Sequence, residues 1–420
     1  MNNNDTQIEK LIKKGVRIPN PFSVEISPDI DINRISGQGV TIYTGCKIIG
    51  KSTHISSGAQ IGYEGPVTLE NCWVGPGVQL KSGFLKEAVF LEGVSLGSGA
   101  HIREGTILEE HSSVAHTVGL KQTILFPFVT LGSLINFCDC LMAGGTDSKN
   151  HSEVGSSYIH FNYTPNQDKA TPSLIGDVPG GVMLNQRPVF LGGQGGLVGP
   201  SRLAFGTIIA AGTIYRKDQL KQNRLVFEGM PKGGNIPYTF GLYRNIKRIV
   251  LNNIIYIANL FALRQWYYQV RYLFISPNFS EHLWQGLNQT LEKAIRERIS
   301  RLIALSLKME YSIELYKEMS GPKASKILLK QKQELFDKSK KIESLLKKGF
   351  QVCGDISLRD TFLKKLTIAI ENIGMDYIQV MKNLKPAEKK YGELWLQNII
   401  ETLGKQTLNL IPSFGDKLRF

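Results

Sequence analysis

The sequence predicts a left-handed parallel β-helix of hexapeptide repeats, followed by an all-α helical domain. Three observations carry that expectation. An apolar residue recurs at every sixth position through the first half of the chain. Glycines punctuate those repeats where a coil must turn. From Tyr238 onward glycine becomes scarce, and Lys, Glu, Leu and Ile dominate with helical spacing.

The repeat is explicit. One run is Ile49, Ile55, Ile61 and Val67; another is Phe90, Leu96, Ile102, Leu108 and Val114. Later come Leu131-Gly132, Val154-Gly155, Ile175-Gly176, Leu191-Gly192 and Val198-Gly199. A period of six matches neither a helix nor a simple strand, and is the mark of a solenoid. Each hexapeptide supplies one flat side with its apolar residue turned inward. Three sides close a triangular coil of about 18 residues, and coils stack at about 4.8 Å with their backbones paired as parallel sheets. From Phe22 to Tyr215 there is room for roughly ten coils. An ordinary sandwich would show two-residue alternation and hairpin turns instead.

The expected division is a segment over 1–21, the β-helix over 22–237 and a basic helical domain over 238–420. The repeat breaks at 143–173, a polar stretch with two histidines that reads as a functional loop. Its aromatics Tyr158, Phe161 and Tyr163 argue against disorder. Helices are expected over about 241–274, 280–319, 323–349, 357–384 and 386–404, with breaks at Pro and Gly clusters. Trp266, Tyr267, Tyr268 and Tyr272 read as core. The helical domain has three candidate roles: capping the open solenoid end, docking on a neighbouring subunit, or recruiting a protein partner.

Composition excludes several classes. Net charge is +14, but residues 1–240 hold 20 basic and 19 acidic side chains, against 30 and 17 in the remainder. The basic excess reads as a solvated helical surface, so no nucleic-acid partner is expected. The apolar stretch Ile249–Leu263 is broken by Asn252, Asn253 and Asn259. It is too polar and short for a membrane span and reads as a buried amphipathic helix. Five cysteines show no secreted disulfide framework, so a cytoplasmic protein with reduced thiols is expected. Cys138 and Cys140 would point to opposite faces of one strand, unsuited to sharing a metal.

The chemistry rests on specific residues. Phe161-Asn162-Tyr163, then Lys169, then Leu174-Ile175-Gly176-Asp177 resembles the C-N-Y-D-G…K…I-I-G-D block of a known family. That family is the bifunctional N-acetylglucosamine-1-phosphate uridyltransferase/glucosamine-1-phosphate acetyltransferase, whose acetyltransferase half is such a β-helix. Gly206–Thr213 (GTIIAAGT) is similar to its G-A-T-I-A-A-G-T, and Ser148-Lys149-Asn150-His151 to its S-K-A-G-H. The resemblance covers roughly residues 30–232. It implies a homotrimer with acetyl-CoA as acyl donor, no metal, and an amino sugar phosphate or sugar nucleotide as acceptor. It implies His151 as general base, with His160 as its rival. Asn162 and Tyr163 would hold the sugar and Lys169 its phosphate. Backbone at Ala210 and Ala211 would line the coenzyme groove, and Lys232 would take the place of a family arginine. That family's P-F-x-x-L-R-P-G arginine is absent, because Gly132 and Ser133 follow Leu131. No L-x-x-G-x-G-T-x-M loop is found, so uridyl transfer is not expected.

Two other classes stay open. A metal hydro-lyase like the γ-class carbonic anhydrases would draw on His101, His111, His116, His151 and His160. A non-catalytic sugar-nucleotide-binding or scaffolding protein would explain the missing anion-binding residues and the large helical addition.

Overall fold

A computed structural model describes residues 3–228, 234–235 and 237–415. The hexapeptide period winds, as expected, into a parallel β-solenoid, and among the described residues eight α-helices follow it. Each coil visits three faces in turn. Face I runs from Thr41–Ile42 to Leu225–Val226, ten parallel strands among the described residues. Face II runs from Glu25–Ile26 to Ile214–Tyr215, and face III from His54–Ile55 to Arg202–Leu203. The long strands Gly119–Leu125 and Asn136–Met142 bend round the corner between faces II and III. That bend corrects the expectation for Cys138 and Cys140. They straddle a corner at Asp139, whose φ is 64°, instead of alternating along a straight strand.

Corner glycines serve two different needs. Gly93 and Gly105 adopt positive φ, which costs residues with a Cβ. Gly97 does not, but a Cβ there would lie 2.7 Å from the Ala115 carbonyl carbon of the next coil. Close coil stacking, and not backbone angle, demands that glycine.

Face III is apolar on both sides. Its inward residues Val74, Phe90, Leu108, Leu125, Met142 and Ile175 fill the prism. Its outward residues Trp73, Val89, Ile107, Ile124, Leu141 and Leu174 are equally buried, because the helical region lies over them. Parallel strands covered on both sides carry consecutive apolar residues, as Ala88–Phe90 and Thr106–Leu108 do. The helical region therefore lies along a face of its own solenoid. The solenoid's first coil is closed instead by helix α1 (Asn3–Lys14), which buries Ile8 and Leu11.

Helices α3 (Lys247–Gln269) and α4 (Glu281–Leu307) make contact with solenoid strands, and α3 also packs on α2 (Val178–Gly181), a short helix within the solenoid half. Helix α3 is buried nearly all round, so it is a central helix and not an amphipathic one. The three asparagines that interrupt its apolar run join it to the solenoid or to itself. Asn252 Nδ2 donates to Asp218 at 2.9 Å, Asn253 Nδ2 donates to the Ala170 carbonyl at 2.9 Å, and Asn259 Oδ1 accepts from Val178 N–H at 3.0 Å. Within the aromatic cluster Trp266 and Tyr267 are core, whereas Tyr272 lies exposed at the edge of Trp284. Gly286 of α4 lies flat on the Trp73 ring, where a Cβ would approach to 2.4 Å.

The remaining helices are α5 (Met309–Ser320), α6 (Lys326–Asp337), α7 (Ser339–Lys348), α8 (Ile356–Ile373), α9 (Tyr377–Asn383) and α10 (Pro386–Leu410). Three expected helices are thus each split in two. The breaks fall at Lys308, whose ammonium reaches the Asn166 carbonyl of the solenoid, at Lys338, and at Gly374, whose φ of 103° ends α8. No described helix is long and apolar enough to cross a membrane.

Two buried ion pairs fasten the helices to the solenoid. Arg298 of α4 holds Asp139 at 2.9 Å, and Arg271 grips Glu110 with two nitrogens. Removing one member of such a pair strands the other's charge. Arg298→Met is expected to lower stability by about 3–5 kcal/mol, and adding Asp139→Asn should recover part of that loss. Urea unfolding of the two variants checks this; equal loss in both would contradict it.

Candidate functional site

The solenoid departs from its hexapeptide rhythm at three corners, where the sequence suggested one continuous excursion. Residues 143–152 leave between faces III and I. The repeat then resumes with Glu153–Val154 on face I and Ile159–Phe161 on face II. Residues 162–172 leave between faces II and III. Residues 176–189, which include α2, leave again between faces III and I. Strand stacking forces this division: Val154 must fill the column between Leu131 and Leu191.

The first departure is a two-stranded hairpin, Gly145–Asp147 against Asn150–His151. Gly145 has a φ of 100°, and a Cβ there would lie 2.6 Å from His151 Cα. Asp147 accepts from Lys149 N–H at 2.9 Å, and Asn150 donates to Thr146 at 3.0 Å. The hairpin therefore presents His151 half-exposed at the solenoid's edge. The ring's Nδ1 is buried and has no hydrogen-bond partner.

His160 has a different environment. It sits in the inward column of face II, between Phe137 and Leu197, where other coils place aliphatic or aromatic side chains. Its Nδ1 lies 2.6 Å from the Cys138 carbonyl and its Nε2 2.7 Å from Ser173 Oγ. Burial pushes its pKa down to about 4. Both nitrogens are occupied within a closed interior, so this geometry is that of a core histidine with satisfied polar groups.

The second departure is held by the helical region. Tyr243 donates to Asp168 at 2.6 Å, Lys308 to the Asn166 carbonyl at 2.7 Å, and Gly241 N–H to Asn166 Oδ1 at 3.0 Å. Arg298 reaches the Lys169 carbonyl at 3.5 Å. Asn162 donates its amide to Asp139 at 3.2 Å, inside the Asp139–Arg298 pair. Tyr163 and the Lys169 side chain remain exposed, and Lys169 occupies a left-handed turn with φ 52°.

Ala210 and Ala211 form a third corner, between faces I and II. They lie under Gly192, where a Cβ would come within 2.3 Å of Ala211 N. Small residues line this edge from Gly97 through Ala115, Gly132 and Gly155 to Ala210. Lys232 lies outside the described residues. The candidate base, the candidate sugar-holding residues and the candidate coenzyme-lining residues thus occupy three different edges of one prism. A single chain does not bring them together.

Sequence reasoning missed a cavity of about 580 Å³ at the corner between faces III and I. The hairpin's Asp147 and Ser148 line one side; Arg271 and Asp376, brought by the helices, line the other. From the solenoid come Glu92, Glu110 and His111, with the His111 ring stacked 5.6 Å from Phe128. Behind the cavity Tyr267 donates to Glu109 at 2.6 Å. Burial and the neighbouring Glu110 charge push the Glu109 carboxyl up to about 8. The adjacent acidic pair Glu109-Glu110 beside an apolar strand was the one available signal; its partners lie more than 150 residues away. Among the described residues no three His, Cys, Asp or Glu side chains gather as metal ligands.

No family model matches the chain. It is similar to the bifunctional protein GlmU of Thermotoga maritima, 27% identical over 213 residues, covering 50% of this chain and 42% of that protein. The bifunctional protein GlmU of Pelobacter propionicus is 29% identical over 209 residues, covering 50% and 40%. That of Geotalea uraniireducens is 30% identical over 181 residues, covering 40% and 36%. The chain spans about two fifths of the length of the first two relatives. Such relatives, with the β-solenoid, fit the acetyltransferase half of a GlmU-like protein.

Two titrations follow from these environments. The His160 pKa is depressed, so its neutral form adds stability above about pH 6.5 that is lost as pH falls toward about 4. Its ring resonances should stay constant from about pH 8 to 5 in NMR titration, and a midpoint near 6.5 would refute the core assignment. The Glu109 pKa is raised, so its contribution is fullest below about pH 4.5 and fades as pH rises through about 8. Glu109→Gln should flatten that part of the urea-midpoint profile, whereas an unchanged slope would contradict it.

Proposed function

We propose that the chain is a coenzyme-A-dependent N-acyltransferase acting on an amino sugar phosphate or nucleotide-linked amino sugar. The observation that carries this reading is His151. It is half-exposed on a hairpin thrown out at the solenoid's edge, within the Ser148–His151 segment, and its Nδ1 is unpartnered. Relatives of the GlmU kind support the same class of chemistry.

In the proposed step the acceptor's amine nitrogen attacks the thioester carbonyl of acetyl-CoA. The new C–N bond forms as the C–S bond breaks. His151 removes the amine proton as general base, and the coenzyme leaves as a thiolate that is then protonated. Tyr163 and Lys169, both exposed, contact the sugar and its phosphate, Lys169 as a point charge. Asn162 orients that loop from within the Asp139–Arg298 pair. The edge of small residues ending at Ala210 and Ala211 suits an extended thioester arm. Because these groups lie on different edges, the working site is assembled between copies, in a homotrimer. The outward ladder Phe190, Ile208 and Leu225 on face I, exposed and apolar, supplies a contact surface for such an assembly. All five cysteines are free, which suits a reducing cytoplasm.

A specific observation favours a second reading. The loop expected to hold the substrate spends Asn166 and Asp168 on docking the helical region and Asn162 on the Asp139 that pairs with Arg298. A protein that binds a nucleotide sugar, or scaffolds a partner through its helices, has use for that arrangement without catalysis.

Thiol release from acetyl-CoA, assayed across a panel of amino sugar phosphates and nucleotide amino sugars, separates the two. Acyl transfer predicts turnover that falls about 10²–10⁴-fold in His151→Ala. Calorimetric binding of UDP-N-acetylglucosamine without acetyl-CoA binding, and no thiol release, would establish the second reading instead.

A further inference from the structure

Much of the chain's basic excess is gathered on one helical surface. Residues 323–348 hold nine lysines against three acidic side chains. Helices α6 and α7 occupy most of this segment and pack against α4, α5 and α10. Lys338 separates them, yet helical bonding continues through it. Its N–H donates to the Glu334 carbonyl at 3.0 Å, and its carbonyl accepts from Ile342 N–H at 2.8 Å. The buried stripe therefore runs unbroken along both helices, through Leu328, Gln331, Leu335, Ser339, Ile342 and Leu346. The opposite face is equally continuous, about 34 Å long, and carries Lys326, Lys330, Lys340, Lys341, Lys347 and Lys348, all exposed. Glu334 pairs with Lys330 and Glu343 with Lys347. The other four lysines have no carboxylate partner among the described residues. Ile327, at the margin of this face, is 69% exposed. Beside α7 the surface opens into a groove of about 340 Å³ against α10. Leu345, Val352 and Leu410 supply its apolar lining, and Lys341 and Lys348 stand two helical turns apart along it.

We propose that the α6–α7 face docks on an anionic lipid bilayer. Its lysines meet the headgroup phosphates, Ile327 enters the interfacial layer, and Lys341 and Lys348 hold one headgroup over the apolar groove. Charge complementarity favours lipid over nucleic acid. Residues 323–348 contain no arginine, tyrosine or tryptophan, the side chains that grip phosphates bidentately or stack on bases. Lysines are point charges that suit a diffuse anionic plane, and an apolar groove beside them suits an amphiphile. Such docking is peripheral and needs no spanning helix. It does not rest on the acyl-transfer reading, since none of these residues belongs to the His151 hairpin or the loop over 162–172.

Co-sedimentation of the full chain with vesicles tests the surface. Vesicles of phosphatidylcholine with about 30% phosphatidylserine should bind it at about 0.1 M salt, and vesicles of phosphatidylcholine alone should not. Raising the salt to about 0.5 M should release it. The double variant Lys341→Ala/Lys348→Ala should bind about tenfold more weakly or worse, with an unchanged melting temperature and unchanged thiol release. The pair Lys10→Ala/Lys13→Ala removes the same charge from exposed positions on α1 and should bind like the parent. Should the first variant fail to fold, Ile327→Asp at its exposed position should weaken vesicle binding several-fold. Absence of binding, equal binding to both vesicle types, equal losses in the two lysine pairs, or duplex DNA bound more tightly than the anionic vesicles would each overturn the proposal. Vesicle binding without thiol release would count against the acyl-transfer reading alone.

Discussion

Trp73, Val89, Ile107, Ile124, Leu141 and Leu174 form an outward column on face III that has to be kept from water. Each would expose a large apolar side chain on a flat parallel sheet, and together they would make a sticky strip along the prism. Helices α3 and α4 cover it. That single requirement explains why α3 is apolar on every side: it faces the solenoid on one flank and the other helices on the rest. It also explains Gly286, the only residue type that lets α4 lie against the Trp73 ring so closely.

Apolar contact alone does not fix where a helix sits along a repetitive surface. The register is fixed by buried polar groups whose partners lie at single places on the solenoid. The α3 asparagines, Arg298 with Asp139, and Arg271 with Glu110 are all buried and paired across that interface. A shift by one coil would strand several charges and amides in a dry interface, at several kcal/mol each. Such groups specify the arrangement more than they stabilise it.

The same docking changes the reading of the loop over 162–172. Asn166 and Asp168 are committed to the helical region and Asn162 to Asp139, while the His151 hairpin and the nearby cavity stay accessible. Because the candidate groups lie on three edges, any site combining them needs a second chain to carry one edge to another. Closed rotational symmetry supplies that by pairing unlike edges of identical subunits.

The six-residue period determined the solenoid by itself. Inward apolar residues and tight corners at that spacing leave no other way to bury the chain, and those are local properties of each hexapeptide. The change of composition after Tyr238 likewise marked the helices, although their breaks at Lys308 and Lys338 carry no Pro or Gly signal. The identity of a histidine as core or surface was a different matter. His160 and His151 are nine residues apart in one polar stretch, and only coil stacking turned the first inward and left the second on a hairpin. Partners such as Glu110 with Arg271, or Asn253 with the Ala170 carbonyl, are separated by 161 and 83 residues. No local pattern links them. Tertiary packing decided these contacts, because burial and the need to pair every dry polar group are settled only when distant segments meet.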